Sequence, residues 1–147
     1  MPENSNPPTV KRLGFLISRT SWAMRRRVQG AIKSQGFNFT PEQWVAINLL
    51  SDFRLIPQVE LAKLMNKDKA SVTRIIESLV SQNLVERSAD AADARKQLVA
   101  LSARGLEVKD DLAPKVFAEY SKMIEGISEQ EQELAANILV RICNNAE

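Results

Sequence analysis

The stretch DKASVTRIIESLVSQNLVERSADAADARKQLVALS, residues 68–102, begins with the spacing of an amphipathic helix and ends with that of a short hairpin. On a helical wheel of residues 67–82, Val72, Ile75, Ile76, Leu79 and Val80 fall within one arc of roughly 140°, the stripe that a helix lays on a core. Lys67, Ala70, Arg74, Ser78 and Ser81 fall on the far side, with Ser71 and Thr73 at its flanks. The first two turns therefore expose side chains that are small, polar or basic. Small side chains allow close approach to a surface, Lys67, Lys69 and Arg74 supply charge, and Ser71 and Thr73 can exchange hydrogen bonds. Those are the residue types needed inside a DNA major groove about 12 Å wide. The amino end of the helix adds unpaired N–H groups and a positive dipole end, both of which favour phosphate.

The neighbours on either side fit the same use. PQVELAKLMN, residues 57–66, predicts a short helix opened by Pro57 and packed through Val59, Leu61, Ala62, Leu64 and Met65, although Ile56 before it has no capping group. A short helix, a tight turn and a second helix make a helix-turn-helix, in which the second helix is presented to DNA. After it, residues 84–88 and 97–101 are strand-prone and are separated by ADAADARK, the composition of a hairpin loop. Arg87 ends the first strand, and Arg95 and Lys96 follow a loop that holds Asp90 and Asp93. Asp93, two positions from Arg95, is close enough in a turn to hold the guanidinium in one orientation, ready for a minor groove or a phosphate.

Working outward, Leu13, Ile17, Met24, Val28 and Ile32 recur at helical spacing over residues 10–34, and SQGFNF ends that helix. TPEQ at 40–43 is a capping box with proline at the first helical position, leading into Trp44, Ile47 and Leu50. Ser102 caps a long helix carrying Leu112, Val116, Phe117, Tyr120 and Ile124. SEQE at 128–131 is a second capping box ahead of Leu134, Ile138, Leu139 and Ile142. The order is four helices, a hairpin and two helices: a mainly α chain with a small β-hairpin wing. Residues 1–9 read as a disordered arm.

The composition excludes several functions. The chain has 147 residues, 44% of them hydrophobic, which suits one domain with a real core. Nine basic and four acidic groups in residues 1–66, seven and five in 67–105, and four and nine in 106–147 leave a net charge of only +2, but along a gradient. A basic front and an acidic tail let one face meet a polyanion while another does something else. No apolar run approaches the roughly 18 residues of a membrane span. Histidine is absent, which removes imidazole acid–base chemistry and most zinc and haem sites. There is no glycine-rich phosphate loop, and the adjacent Asp110 and Asp111 diverge around a helix, so no enzyme, cofactor or metal is expected. The single cysteine, Cys143, fits a reducing cytoplasm and reads as a packing residue. One alternative to DNA binding stays open: the KASVTR face could dock a protein partner, as a helical interaction module.

With FTPEQWVAINLL and the run from ELAKLMNKDKASVTR to ALSARG in view, the chain resembles the MarR family of bacterial transcriptional regulators. The wing signature of that family is Asp, any residue, Arg, three residues, an aliphatic, one residue, Leu and Thr. It stands here as Asp93, Arg95, Val99, Leu101 and Ser102, with serine in place of threonine. The resemblance implies a winged helix-turn-helix homodimer that binds a pseudopalindromic operator, usually as a repressor. Residues 39–105 would form the DNA-binding region, and residues 10–36 and 106–144 the helical dimerisation region. The recognition helix would be 68–82, with Ser71, Thr73 and Arg74 at the DNA, to which the charge pattern adds Lys67 and Lys69. Arg95 would be the wing-tip arginine, braced by Asp93, and the hairpin's own composition adds Arg87 and Lys96. Many relatives carry a second arginine where this chain has Ala94, which implies a weaker wing contact or a different preference at the operator edge. Relatives also bind small aromatic carboxylates between the dimer helices and the DNA-binding lobe. For such an effector the resemblance implies Trp22 or Trp44 as stacking partners and Arg25 for the acid group.

Overall fold

The computed structural model describes residues 8–146. In chain order it runs α1 (Thr9–Ser34), α2 (Pro41–Asp52), β1 (Ile56–Pro57), α3 (Gln58–Leu64), α4 (Lys69–Ser81), β2 (Val85–Ala89), β3 (Gln97–Leu101), α5 (Ala103–Met123) and α6 (Glu129–Ala146). This is the mainly helical chain with a hairpin wing that the periodicities predict. Of the arm read at 1–9, residues 1–7 lie outside the described residues, and Thr9 already opens α1.

Helix boundaries follow from local chemistry. Thr40 Oγ1 accepts the Gln43 N–H at 3.2 Å and Gln43 Oε1 accepts the Thr40 N–H at 2.8 Å, closing the capping box of α2. Ser102 Oγ accepts the Gly105 N–H at 2.9 Å, and Ser128 and Glu131 form the second box ahead of α6. Caps of this kind contribute about 1 kcal/mol each. At their other ends α1, α3 and α4 stop on a left-handed residue: Gly36, Asn66 and Asn83, with φ of 80°, 48° and 58°. The N–H of that residue and the N–H of the next then fold back on the last turn. For α4, Asn83 N–H reaches Val80 O and Leu84 N–H reaches Leu79 O, both at 2.9 Å. Asn66 makes the turn between α3 and α4, and asparagine tolerates left-handed backbone better than most side chains.

The sheet holds one strand the sequence did not predict. Its order is β1-β3-β2, all antiparallel, with Ile56 opposite Val99 and Arg87 opposite Val99 on the other side. Ile56 is therefore a buried strand residue and not a failed cap, and α3 starts at Gln58, one residue after Pro57. A proline is tolerated there because β1 is an edge strand.

One core joins these elements. Ile32, Ile47, Leu50, Leu61, Val72, Ile76, Leu79, Val99 and Leu112 are fully buried. Each such aliphatic contributes roughly 1.5–3 kcal/mol over an exposed one. Val72, Ile76 and Leu79 anchor α4 as its stripe predicts, with Ile75 and Val80 partly buried at the margin. Elsewhere the predicted stripes are only partly covered. In α3 Leu61 and Ala62 are buried, but Val59 and Leu64 are 41% and 50% exposed, because seven residues present a single line inward. Only Val28 and Ile32 of α1 are buried, Phe117 of α5 is 70% exposed, and no residue of α6 is buried.

Candidate nucleic-acid interface

α4 is fixed about its own axis by polar joints. At its N-cap, Asp68 Oδ1 accepts the Ser71 N–H at 2.8 Å and Oδ2 accepts the Ser71 O–H at 2.6 Å. That hydroxyl first, and the backbone N–H next, hold the Asp68 carboxyl below its ordinary range. One turn on, Thr73 donates its O–H to Lys69 O at 2.8 Å and accepts Gln58 Nε2 at 3.0 Å, so the first residue of α3 is fastened to α4. Farther along the helix, Gln43 donates Nε2 to Ser78 Oγ at 2.7 Å. Gln43 and Ser102 are the buried polar side chains among the described residues, and both are hydrogen-bonded. Leaving such a group unpaired costs about 1–3 kcal/mol, so the rotation of α4 that satisfies Gln43 is strongly selected. Lys69 and Arg74 are exposed, and Lys67 lies in the turn before the helix, partly exposed.

The wing is tied both to itself and to this helix. Arg87 on β2 donates Nη2 to Thr73 O at 3.4 Å, a long contact that sets its guanidinium beside α4. In the loop, Asp90 Oδ1 accepts the N–H groups of Ala92 at 2.7 Å and Asp93 at 3.2 Å, while Asp90 N–H reaches Lys96 O at 3.0 Å. Asp93 Oδ1 accepts the backbone N–H of Arg95 at 3.1 Å. The brace expected between Asp93 and Arg95 is therefore made to the main chain, and among the described residues the Asp93 carboxylate forms no ion pair with the guanidinium. A two-residue turn brings the next-but-one N–H to the carboxylate before the long side chain can fold back to it. Arg95 and Lys96 are exposed.

A separate apolar cavity of about 520 Å³ lies among α1, α2, α5 and α6, lined by Leu13, Met24, Val28, Trp44 and Ile138 with Arg25 and Glu42. Arg25 is already engaged there in an ion pair with Glu42. Trp44 is 5% exposed and its ring stacks on Phe39, with centroids 6.5 Å apart. Trp22 does not line this cavity; it is 73% exposed and borders a shallower cleft shared with Arg25. Two of the three expected effector residues thus meet at one cavity and the third stands outside it. Cys143, expected to pack, is exposed, because α6 has nothing covering it in a single chain.

Gln43, Gln58 and Asp68 were not foreseen as organisers of α4. Asp68 had a legible signal, since aspartate three residues before the N–H it accepts is a favoured N-cap. The bonds from Gln43 to Ser78 and from Gln58 to Thr73 join residues 35 and 15 apart, and no local pattern marks them.

An outward-facing second helix with a basic hairpin beside it is the anatomy of a winged-helix DNA-binding protein. The MarR family model matches residues 39–96, from the run into α2 through the wing loop. The chain is 24% identical over 135 residues to the HTH-type transcriptional regulator MhqR of Bacillus subtilis (strain 168), covering 92% of each. Among solved structures, it superposes with a TM-score of 0.83 on a MarR mutant from E. coli complexed with operator DNA, at 22% identity over 91% of this chain and 95% of that one. Another is Bordetella bronchiseptica BpsR, whose DNA binding is regulated by 6-hydroxynicotinic acid: TM-score 0.80, 25% identity, 90% of this chain and 98% of that one. Over residues 39–96 the chain resembles the MarR family. Its fold is shared with the DNA-bound MarR mutant and with BpsR. No helix of the described residues is long and apolar enough to cross a membrane.

Proposed function

We propose that the protein is a homodimeric repressor that binds a pseudopalindromic operator through α4 and the wing and is released by a small aromatic or phenolic anion. The observation that carries the DNA contact is the coincidence, on one side of the molecule, of the α4 surface and Arg87, whose guanidinium reaches the Thr73 carbonyl of that same helix. Lys67, Lys69, Ser71, Thr73 and Arg74 enter the major groove, while Arg95 and Lys96 hold phosphate or the adjacent minor groove. Pairing of two copies through residues 10–36 and 106–144 is supported by the apolar side chains left uncovered in one chain and outside the cavity: Val10 and Phe15 on α1, Phe117 on α5, Leu134 and Val140 on α6. Burial at roughly 25 cal/mol per Å² favours their pairing, and a twofold axis spaces two recognition helices about one duplex turn, roughly 34–36 Å.

The effector reading is supported by the cavity, whose volume lies in the usual range for small-molecule sites and whose walls are mostly apolar around one arginine. An entering carboxylate or phenolate takes the place of Glu42 on Arg25, with Trp44 against its ring. The regulated DNA binding of BpsR, a relative in fold, supports the same class of ligand.

Selection of bound fragments from genomic DNA by the purified protein tests this. A recurring inverted repeat is expected, bound with an affinity that falls linearly in log–log against salt. Absence of any repeat, or binding indifferent to salt, rejects the reading in favour of a protein-docking module.

A further inference from the structure

The two hydroxyls on the outward turns of α4 have both committed their protons inward. Ser71 Oγ lies 2.6 Å from Asp68 Oδ2, and an ionised carboxylate only accepts, so the serine proton points at Asp68. Thr73 Oγ1 lies 2.8 Å from Lys69 O, which also only accepts, so the threonine proton points along the helix backbone. Gln58 donates to the same threonine oxygen at 3.0 Å. Gln58 Oε1 is itself buried without a partner among the described residues, and turning the amide over would give the threonine proton to that oxygen in place of Lys69 O; in neither arrangement does the proton face solvent. Toward solvent, Ser71 therefore offers two lone pairs and Thr73 one, and neither offers a proton.

An acceptor cannot bind phosphate oxygen, which is itself only an acceptor. It cannot read guanine O6 or N7, or thymine O4, for the same reason. In the major groove the donors are the exocyclic amines, N6 of adenine and N4 of cytosine. Arg74 and Lys69, exposed on the same helix, carry the opposite polarity and suit guanine edges and phosphate.

We propose that Ser71, with its proton held by Asp68, is a specificity-determining residue that reads an amine donor, adenine N6 or cytosine N4, at one position of each half-site, with Thr73 limited to the same polarity. Asp68 is a positioning residue: it touches no base and sets the direction of the Ser71 hydrogen bond. This rests on the reading that α4 enters the major groove.

The test uses the full chain and a randomised duplex library. The parent protein is expected to select one base pair at a defined position of each half-site; every pair carries one such amine, adenine N6 or cytosine N4, so the strand that Ser71 reads is fixed by removing that amine. Ser71→Ala flattens the preference at that position and leaves the rest of the motif unchanged. Asp68→Asn keeps the cap, because its amide oxygen still accepts the Ser71 N–H, while its NH2 now donates to Ser71 Oγ and turns the serine proton outward. Preference at the same position then shifts toward guanine or thymine. A second arm needs no variant to fold: the selected duplex is remade with that one base replaced by an analogue lacking the exocyclic amine. The parent is expected to bind it roughly two- to tenfold more weakly, and Ser71→Ala to bind both duplexes alike. A clear motif in which Ser71→Ala alters no position, or an amine-lacking analogue, tried on either strand at the altered position, that is bound as well as the natural base, overturns the proposal and leaves DNA recognition standing. A library that yields no motif for the parent overturns the DNA reading itself, and this assignment with it.

Discussion

Gly105 stands in the first turn of α5, where glycine costs a helix about 1 kcal/mol relative to alanine. Its place is explained by the chain it faces. A Cβ on Gly105 would overlap Leu84 O, lie 3.0 Å from Leu84 C and meet Leu101 Cδ2 at 3.2 Å. The carbonyl cannot turn away cheaply, because Leu84 O accepts the Ser102 N–H at 3.0 Å and Leu84 N–H closes the end of α4 on Leu79 O. Substitution by alanine therefore pushes α5 off the root of the wing. Overpacking of a rigid site costs about 3 kcal/mol at the upper end of the usual range; less the helix-propensity gain of about 1, Gly105→Ala is expected to lose about 2 kcal/mol. With a urea slope of roughly 2 kcal/mol per M, the unfolding midpoint falls by about 1 M, measured by circular dichroism at one fixed protein concentration. A variant as stable as the parent, or more so, would show that the first turn of α5 is not in close contact with Leu84, and the junction of wing and helix would have to be redrawn.

Other consequences can be read in the same way. Arg95→Ala is expected to cost roughly 1–3 kcal/mol of operator affinity and to lower the salt slope; unchanged binding in a fluorescence-anisotropy titration would remove the wing from the interface. Ser78→Ala strips Gln43 Nε2 of its partner, at about 1–3 kcal/mol of stability, and a neutral urea midpoint would mean that water replaces the bond freely. Asp68 is held below its ordinary value of 3.8 by Ser71, so its contribution to stability is complete above that value and is lost as pH falls through the lower, folded one. Parent and Asp68→Asn should accordingly differ in urea midpoint at pH 6 and converge as pH falls below about 4; a constant difference across that window would contradict the carboxylate's role at the cap.

Most of the fold could be read locally because its determinants are local. Thr40, Ser102 and Ser128 announce three helix starts within four residues of sequence, and the stripe of Val72, Ile76 and Leu79 gives both the existence of α4 and its inward face. β1 escaped because two residues, one of them proline, carry no strand periodicity; only the partner Val99, 43 positions on, makes Ile56 a strand residue. Val59 and Leu64 were assigned inward because a stripe over seven residues is too short to define a side. The cations of the candidate interface were legible as types. The direction of each hydroxyl proton was not, since it is decided by Asp68, Lys69 and Gln58 acting together.

The distribution of carboxylates on the proposed DNA side shows what this surface favours. Asp68, Asp90 and Asp93 all sit among its lysines and arginines, where each weakens the pull on a polyanion within a screening length of about 8 Å. None is placed as a counter-ion to those cations: Asp68 holds Ser71, Asp90 holds the Ala92 and Asp93 N–H groups, and Asp93 holds the Arg95 N–H. Long-range attraction is given up and local order is gained, in the helix's first turn and at the wing tip alike. A loop that is already ordered loses less entropy on docking. Of the seven basic groups against five acidic in residues 67–105, the charge that matters is therefore the part left unspent on the chain itself, Lys69, Arg74, Arg95 and Lys96, held out from a backbone that the acids have fixed.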